Sequence, residues 1–413
     1  MRILLVMTFL VHLAVTHAVL NADWPQFLGP SRDGTAAGES IEDSWGGSGP
    51  PVIWRYAVGQ GLSGPVLSSG RVVISYRRGP EEIIDSLDSS SGKRIWSFGA
   101  PSGYRDAFGA DDDGPRATPT IANGRVFLLG AEGQVLALDL ESGKKIWGLD
   151  SRQTFNAPLG YFGFACSPIV EGNSVLLNIG GLNGAGIIAL DVSNGKLLWK
   201  ATDDEASYSS PMVAKVGKSR SVFFFTRSGL RALDPETGSV RASFPWRARI
   251  AASVNAATPI VAKDQIFITA SYGTGAALLN FEEGAFKPVW TSDDAISAHY
   301  ATPVLRNGFL YGLDGRVDSG SPSLKCIELA TGKTRWSRKG FGEGSLLLAG
   351  ERILILTETG ELASVKASPD AFEEVARAKV MAGAVRAHPA LVAGRLYARN
   401  ANELLVLDLR KKP

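Results

Sequence analysis

Along nearly the whole chain, runs of four to six apolar or β-branched residues alternate with two-to-four-residue turns that contain glycine. One stretch shows the pattern cleanly. It reads Thr118-Pro119-Thr120-Ile121, then Asn123-Gly124, then Arg125-Val126-Phe127-Leu128-Leu129. Glu132-Gly133 follows, then Gln134-Val135-Leu136-Ala137-Leu138-Asp139, Ser142-Gly143-Lys144 and Lys145-Ile146-Trp147. Runs this short, joined by turns of this kind, predict four antiparallel strands linked by hairpins. No segment within the repeats carries a long 3.6-residue periodicity with capping residues, so the expected class is all-β.

The same pattern returns along the chain. Trp54, Trp96, Trp147, Trp199, Trp246, Trp290 and Trp336 are spaced by 42, 51, 52, 47, 44 and 46 residues. Pro65, Pro119, Pro168, Pro211, Pro259, Pro303 and Pro389 interleave with them, each opening a short apolar run. Proline fits the first residue of an innermost strand, where a ladder donor is lost cheaply. Four strands repeated every forty-odd residues describe a β-propeller blade. Residues 52–409 divide into eight blades of about 45 residues each, and innermost strands are expected near Pro65, Pro119, Pro168, Pro211, Pro259, Pro303, Ser345 and Pro389. The seventh copy lacks both the proline and the tryptophan, which leaves seven blades as the alternative count. The last copy ends at Leu404-Leu405-Val406-Leu407-Asp408 with no tryptophan strand after it. Val52-Ile53-Trp54-Arg55-Tyr56 precedes the first copy and is expected to complete the final blade, removing an open edge.

Composition divides the rest. Residues 1–22 read as a secretory leader: Arg2 is the positive start, a mostly apolar stretch follows, and Thr16-His17-Ala18 resembles a cleavage site. Residues 23–51 form an N-terminal extension, expected to wrap the outside of the propeller and pack Trp24 and Phe27 on it. Residues 410–413 are a charged tail. A net charge of +2 gives no reason to expect nucleic acid. Cys166 and Cys326 fall in blades far apart and are expected to be small buried hydrophobes, not a disulfide.

Few motifs suggest chemistry. Asp88, Asp139, Asp191 and Asp234 recur in Asp-x-x-Ser/Thr/Asn-Gly turns, with Glu328 in the same slot. They are expected to cap turn amides, since one carboxylate per blade lies too far from its copies to share an ion. Gly184-Ala185-Gly186-Ile187-Ile188-Ala189 spells a dinucleotide fingerprint, but it leads into a strand, not the required helix. Asp111-Asp112-Asp113-Gly114 lacks the rest of a calcium loop. More informative are Arg116, Asn255, His299, Tyr300, Arg386 and His388, with the loop Tyr161-Phe162-Gly163-Phe164. Each lies just ahead of an innermost strand. They are expected to converge at one mouth of the central channel as a candidate ligand site, with histidine titration near ~6.5.

The unit Ser/Thr-Pro, Asn-Gly-Arg-Val-Phe, Leu-Ala-Leu-Asp-x-x-Ser-Gly-Lys, Trp resembles the pyrroloquinoline-quinone-like (PQQ-like) repeat. Trp24-Pro25-Gln26-Phe27-Leu28-Gly29-Pro30, Gly114 to Pro119 and Val254 to Pro259 resemble an uncharacterised exported bacterial branch of that family. The resemblance implies one of two roles. Quinoprotein alcohol dehydrogenases use an adjacent-cysteine disulfide over the quinone and a calcium ion beside a catalytic aspartate; no Cys-Cys pair exists here. The outer-membrane protein assembly factor B branch is a scaffold without a cofactor, and this chain lacks its lipid-attachment cysteine. The reading is therefore an exported, non-enzymatic scaffold in the periplasm or cell envelope. It binds a protein or envelope component, needs no cofactor, and associates with the envelope peripherally if at all. The alternatives are a dehydrogenase-like enzyme using PQQ with calcium, and a carbohydrate-binding propeller.

Overall fold

The computed structural model describes residues 23–107, 112–250, 253–282 and 284–411. The leader, the first acid of the 111–113 run and the last two tail residues lie outside the described residues. Among the described residues, the strands form eight antiparallel sheets, each ordered from an innermost to an outermost strand. Blade 2, for example, comprises Thr120–Ala122, Arg125–Leu129, Gln134–Asp139 and Lys145–Asp150. Among the described residues, helix is confined to single turns such as Ser151–Phe155 and Val317–Ser319.

The burial pattern follows from stacking blades side by side. Ser174–Asn178, a second strand, is buried at every position, because blades cover both of its faces. The outermost strand Lys145–Asp150 buries only Trp147 fully. Ring closure is as expected. Val52–Ala57 pairs antiparallel with Glu403–Asp408, with Trp54 opposite Val406 and Tyr56 opposite Leu404.

The tryptophans wedge neighbouring blades together through a repeated geometry. A bulge in the outer strand precedes Trp147 and re-aims its ring toward the next blade. The indole N–H donates to the Val192 carbonyl of blade 3 at 3.0 Å. The ring lies over Gly195, whose φ of 72° favours glycine. A Cβ built on Gly195 would come within 2.6 Å of the indole. Trp54, Trp96, Trp199, Trp290 and Trp336 each donate to a carbonyl of the following blade in the same way. Each Asp-x-x-Ser-Gly turn is thus shaped by its own cap and by its neighbour's tryptophan. The caps are as expected: Asp139 accepts from the Ser142 amide, and Asp234 from the Glu236 and Thr237 amides. Two serines hydrogen-bond to Asp88 and hold its carboxyl down at about 2.

Trp246 departs from the series. In blade 4 the residue opposite Ala232, the wedge slot, is Ala242. Trp246 falls beyond the strand, stacks on Phe244 and leaves its indole N–H without a partner. Phe281 and Phe286 of blade 5 pack on Phe223 at that interface instead. Trp246 lies four residues past Ala242, close enough to fit the period without filling the slot.

A serine or threonine precedes five of the inner-strand prolines, and its hydroxyl or amide also has a role. The Gly64 amide donates to Thr118 Oγ1, Thr118 N to Ser167 Oγ, and Ser167 N to Ser210 Oγ. Thr258 N donates to Thr302 Oγ1 at 2.9 Å. These bonds link successive inner strands around the axis.

The extension does not follow the outer rim. It crosses the inner strands beneath the mouth. Trp24, 2% exposed, exchanges backbone bonds with Leu67 of blade 1. The Pro25 carbonyl accepts from Ile121 of blade 2. Thr35–Ala36 adds a parallel fifth strand to Gly344–Ala349 of blade 7. Arg32 is fully buried between these contacts. Its guanidinium donates to the carbonyls of Pro168 and Pro211 in blades 3 and 4, and its Nε donates to Gln26. Burial without a carboxylate partner pulls its pKa down to about 9. The inner strands begin with carbonyls that lack a ladder partner, and a guanidinium satisfies several at once. An outer wrap offers no such acceptors.

A polar cavity at the channel mouth

Each blade's chain enters its innermost strand from the mouth, so the residue two positions before the strand's Ser/Thr, Gly or His slot points at the axis. Arg116, Tyr208, Tyr300, Glu343 and Arg386 occupy that position in five blades. Leu62, Ala165 and Ala256 occupy it in the other three. All eight line one cavity of about 510 Å³. His299, His388 and Phe162 join them, and Phe27 of the extension reaches the same cavity. The Phe27 ring meets His388 edge-on, with centroids 5.6 Å apart.

The structure thus brings together five of the six residues expected at the mouth. Asn255 is the exception. It is 4% exposed, and its side-chain amide donates to the carbonyls of Thr226 and Trp246. Its own carbonyl accepts from Tyr208 N and Ser209 N. Asn255 lies one residue earlier in its loop and turns away to hold the backbone. Within the aromatic loop, Phe162 faces the cavity while Phe164 is buried between blades.

Charge in the cavity is mostly paired. Arg116 binds Asp106 in a pair whose side chains are 8% and 3% exposed, and its guanidinium lies over the Tyr104 ring at 5.1 Å. Glu358 accepts from Tyr300 Oη at 2.8 Å and from Arg386 Nε at 2.7 Å. Burial, then Glu358, push the Tyr300 hydroxyl well above the usual phenol range. Arg316 binds Asp318.

Two carboxylates stand outside this pairing. Neither oxygen of Glu343, nor Oδ1 of Asp112, has a hydrogen-bond partner. Glu343 is 3% exposed, and His299 Nδ1 lies 3.9 Å from its Oε1, beyond hydrogen-bond distance. Burial, reinforced by Glu358, pushes its carboxyl up to about 8. Burial also raises Asp112. Sequence reasoning missed Glu343 and Tyr208, although the inner strands at Ser345 and Ser210 were both expected. Counting two residues back from each serine finds them.

Histidine titration near ~6.5 is not what the cavity provides. Burial lowers His299 to about 4. It lowers His388 to about 4 as well, against the pull of the Pro389 and Leu346 carbonyls that face its two ring nitrogens. Both rings are neutral at physiological pH. His299 Nε2 lies 3.0 Å from Tyr272 Oη.

The fold and this site define a class: an eight-bladed propeller of PQQ-like repeats with a polar axial mouth. The chain belongs to the family described as outer membrane protein assembly factor BamB, whose match covers residues 80–338. The BamB of Moranella endobia (strain PCIT) is 25% identical over 65% of this chain and 68% of its own length. Quinoprotein alcohol dehydrogenase PedH of Pseudomonas putida is 26% identical over 36% of this chain, which spans 24% of that relative. Among solved structures, BamB from Moraxella catarrhalis superposes with a TM-score of 0.64 at 16% identity, covering 89% of this chain and 99% of that one. Quinohemoprotein alcohol dehydrogenase from Comamonas testosteroni gives 0.68 at 16% identity, covering 95% and 81%. At these identities the structural likeness is one of fold.

The dehydrogenase relatives raise the question of PQQ with calcium. The residues present do not fit it. Cys166 and Cys326 are free, buried and in different blades, and burial raises both thiols to about 11. Calcium takes six to eight oxygens. Of the five cavity carboxylates, Asp106, Asp318 and Glu358 are already held by arginines, leaving Asp112 and Glu343. Among the described residues no group of three or more metal-ligating side chains converges.

Proposed function

We propose that the protein is an exported, non-enzymatic propeller scaffold that binds a protein or cell-envelope component through its mouth face, in the periplasm or envelope. The observation that carries this reading is membership of a family described as an outer membrane protein assembly factor. The chemistry of the cavity supports it. The wall hydroxyls of Ser167, Ser210 and Thr302 serve as acceptors in the bonds that link the inner strands. His388 faces backbone carbonyls, and the arginines are paired with acids. A nucleophile poised on a base has no place in that arrangement.

A photoreactive residue at Val317, 58% exposed on the cavity rim, is expected to crosslink an envelope component in cells. One at Ile146, on an outermost strand, is expected not to. Adding PQQ and calcium to the purified protein is expected to produce neither bound quinone absorbance nor dye-coupled alcohol oxidation. Stoichiometric quinone uptake would overturn the scaffold reading in favour of the dehydrogenase one.

A further inference from the structure

We propose that the axial cavity is a binding site for an organic cation, an ammonium or guanidinium head on a short apolar stem, with Glu343 as its ion-pairing partner. The inference deepens the reading of the mouth as the binding face and rests on it.

The starting point is an imbalance. A buried polar group is normally hydrogen-bonded, and an exception calls for an explanation. Glu343 is buried, faces the cavity and has no partner for either oxygen. The groups around it do not compensate it. Arg386 is bound to Glu358, and Arg316 to Asp318. His299 is neutral, and Tyr272 and Tyr300 carry no charge. Of the five cavity carboxylates, Asp106, Asp318 and Glu358 take up Arg116, Arg316 and Arg386, and Asp112 and Glu343 are left without an arginine. An anionic ligand would meet only acids and occupied guanidinium groups.

The remaining wall suits a cation with an apolar stem. Phe27, Phe162, Tyr208 and Tyr300 contribute aromatic surface, and Leu62 and Val254 contribute aliphatic surface. Aromatic faces attract desolvated cations. The Glu343 oxygens are nearly covered, so the cation reaches them when the His299 ring, 30% exposed, moves aside.

The arrangement also sets a proton balance. Glu343 holds a proton at neutral pH, since burial pushes its carboxyl up to about 8. A bound cation favours the carboxylate, so each cation that binds releases the Glu343 proton to solvent. The ligand's own head group stays protonated throughout. Affinity therefore rises with pH up to about 8 and levels off above it.

Calorimetry on the full-length mature protein tests this, using n-butylammonium, n-butylguanidinium, a blocked Gly-Lys-Gly peptide and n-butanol. Either butyl cation or the peptide is expected to bind, and n-butanol is not. Binding at pH 7, compared across buffers of different ionisation heat, should release about one proton per cation. Glu343→Gln should weaken binding roughly tenfold or more and abolish proton release. Binding of the free cations alone identifies a small-molecule source; binding of the peptide alone identifies a basic side chain of a polypeptide. Both outcomes support the site. Because Gln removes an unpartnered carboxyl, the variant should fold and melt higher than the wild type at pH 9, which excludes misfolding as the cause. Absence of cation binding at pH 8 overturns the proposal, as does unchanged affinity in Glu343→Gln. If cation binding fails while Val317 still crosslinks an envelope component, only the cation site falls. If both fail, the mouth reading falls with it.

Discussion

At the scale of single residues, the repeat works because one aromatic ring serves two blades. Trp147 is held by its own bulged strand and covers the glycine turn of the next blade. Removing it leaves a void at an interface and an unpaired Val192 carbonyl. Trp147→Ala should therefore cost about 3–5 kcal/mol in denaturant unfolding. Trp246→Ala should cost far less, since its indole makes no interblade hydrogen bond. Equal losses would contradict the wedge assignment. Trp45, also outside the series, packs against the core of blades 7, 8 and 1 while only partly buried, and its substitution belongs with that of Trp246. The aromatic period was legible in the sequence, but it could not separate a tryptophan in the slot from one four residues past it. That distinction depends on register, which only strand pairing sets.

At the scale of elements, two segments far apart in sequence close the ring. Val52–Ala57 supplies the outermost strand of blade 8 and carries Trp54 against Gly92 of blade 1. Deleting 52–56 removes one ladder, one wedge and the closure between the first and last blades. Deleting 410–413 removes a tail whose described contacts include the Arg410–Asp408 pair and a single bridge to Ile41. The first deletion should lower the melting temperature sharply or prevent folding, and the second should shift it by a few degrees at most. Comparable melting of the two truncated proteins would show that blade 8 does not depend on the N-terminal strand. The extension could not be placed from its composition. Trp24 and Phe27 predicted burial, which is correct, but burial against the rim and burial across the axis leave the same sequence signature. The inner-strand carbonyls that receive Arg32 belong to residues well over a hundred positions away.

At the scale of the whole molecule, the mouth makes stability depend on pH in two opposing ways. His299 and His388 have folded pKa values near 4, below their unfolded value. The unfolded chain binds more protons there, so they make stability rise from about pH 4 to ~6.5. Glu343 has a folded pKa of about 8, above its unfolded value near 4.5. The folded chain binds more protons in that interval, so this group makes stability fall as pH rises through it. Glu343→Gln should therefore flatten the loss of melting temperature between pH 6.5 and 8 relative to the wild type. His388→Gln should weaken the rise below pH 6.5. A Glu343→Gln profile parallel to that of the wild type would mean the carboxyl is not raised. Sequence alone determined the blade, its period, the closing strand and the turn caps, because each is a local rule of spacing repeated many times; it favoured eight blades over seven, and the pairing of the degraded seventh copy settled the count. It also pointed to five of the mouth residues, through their common place ahead of an innermost strand. It did not determine the partnerships. Whether Asn255 faces the channel or the backbone, whether a histidine titrates near neutrality, and which carboxylate lacks a partner all depend on side chains from different blades. Ring closure sets those contacts and excludes water from them, and no local pattern encodes either effect.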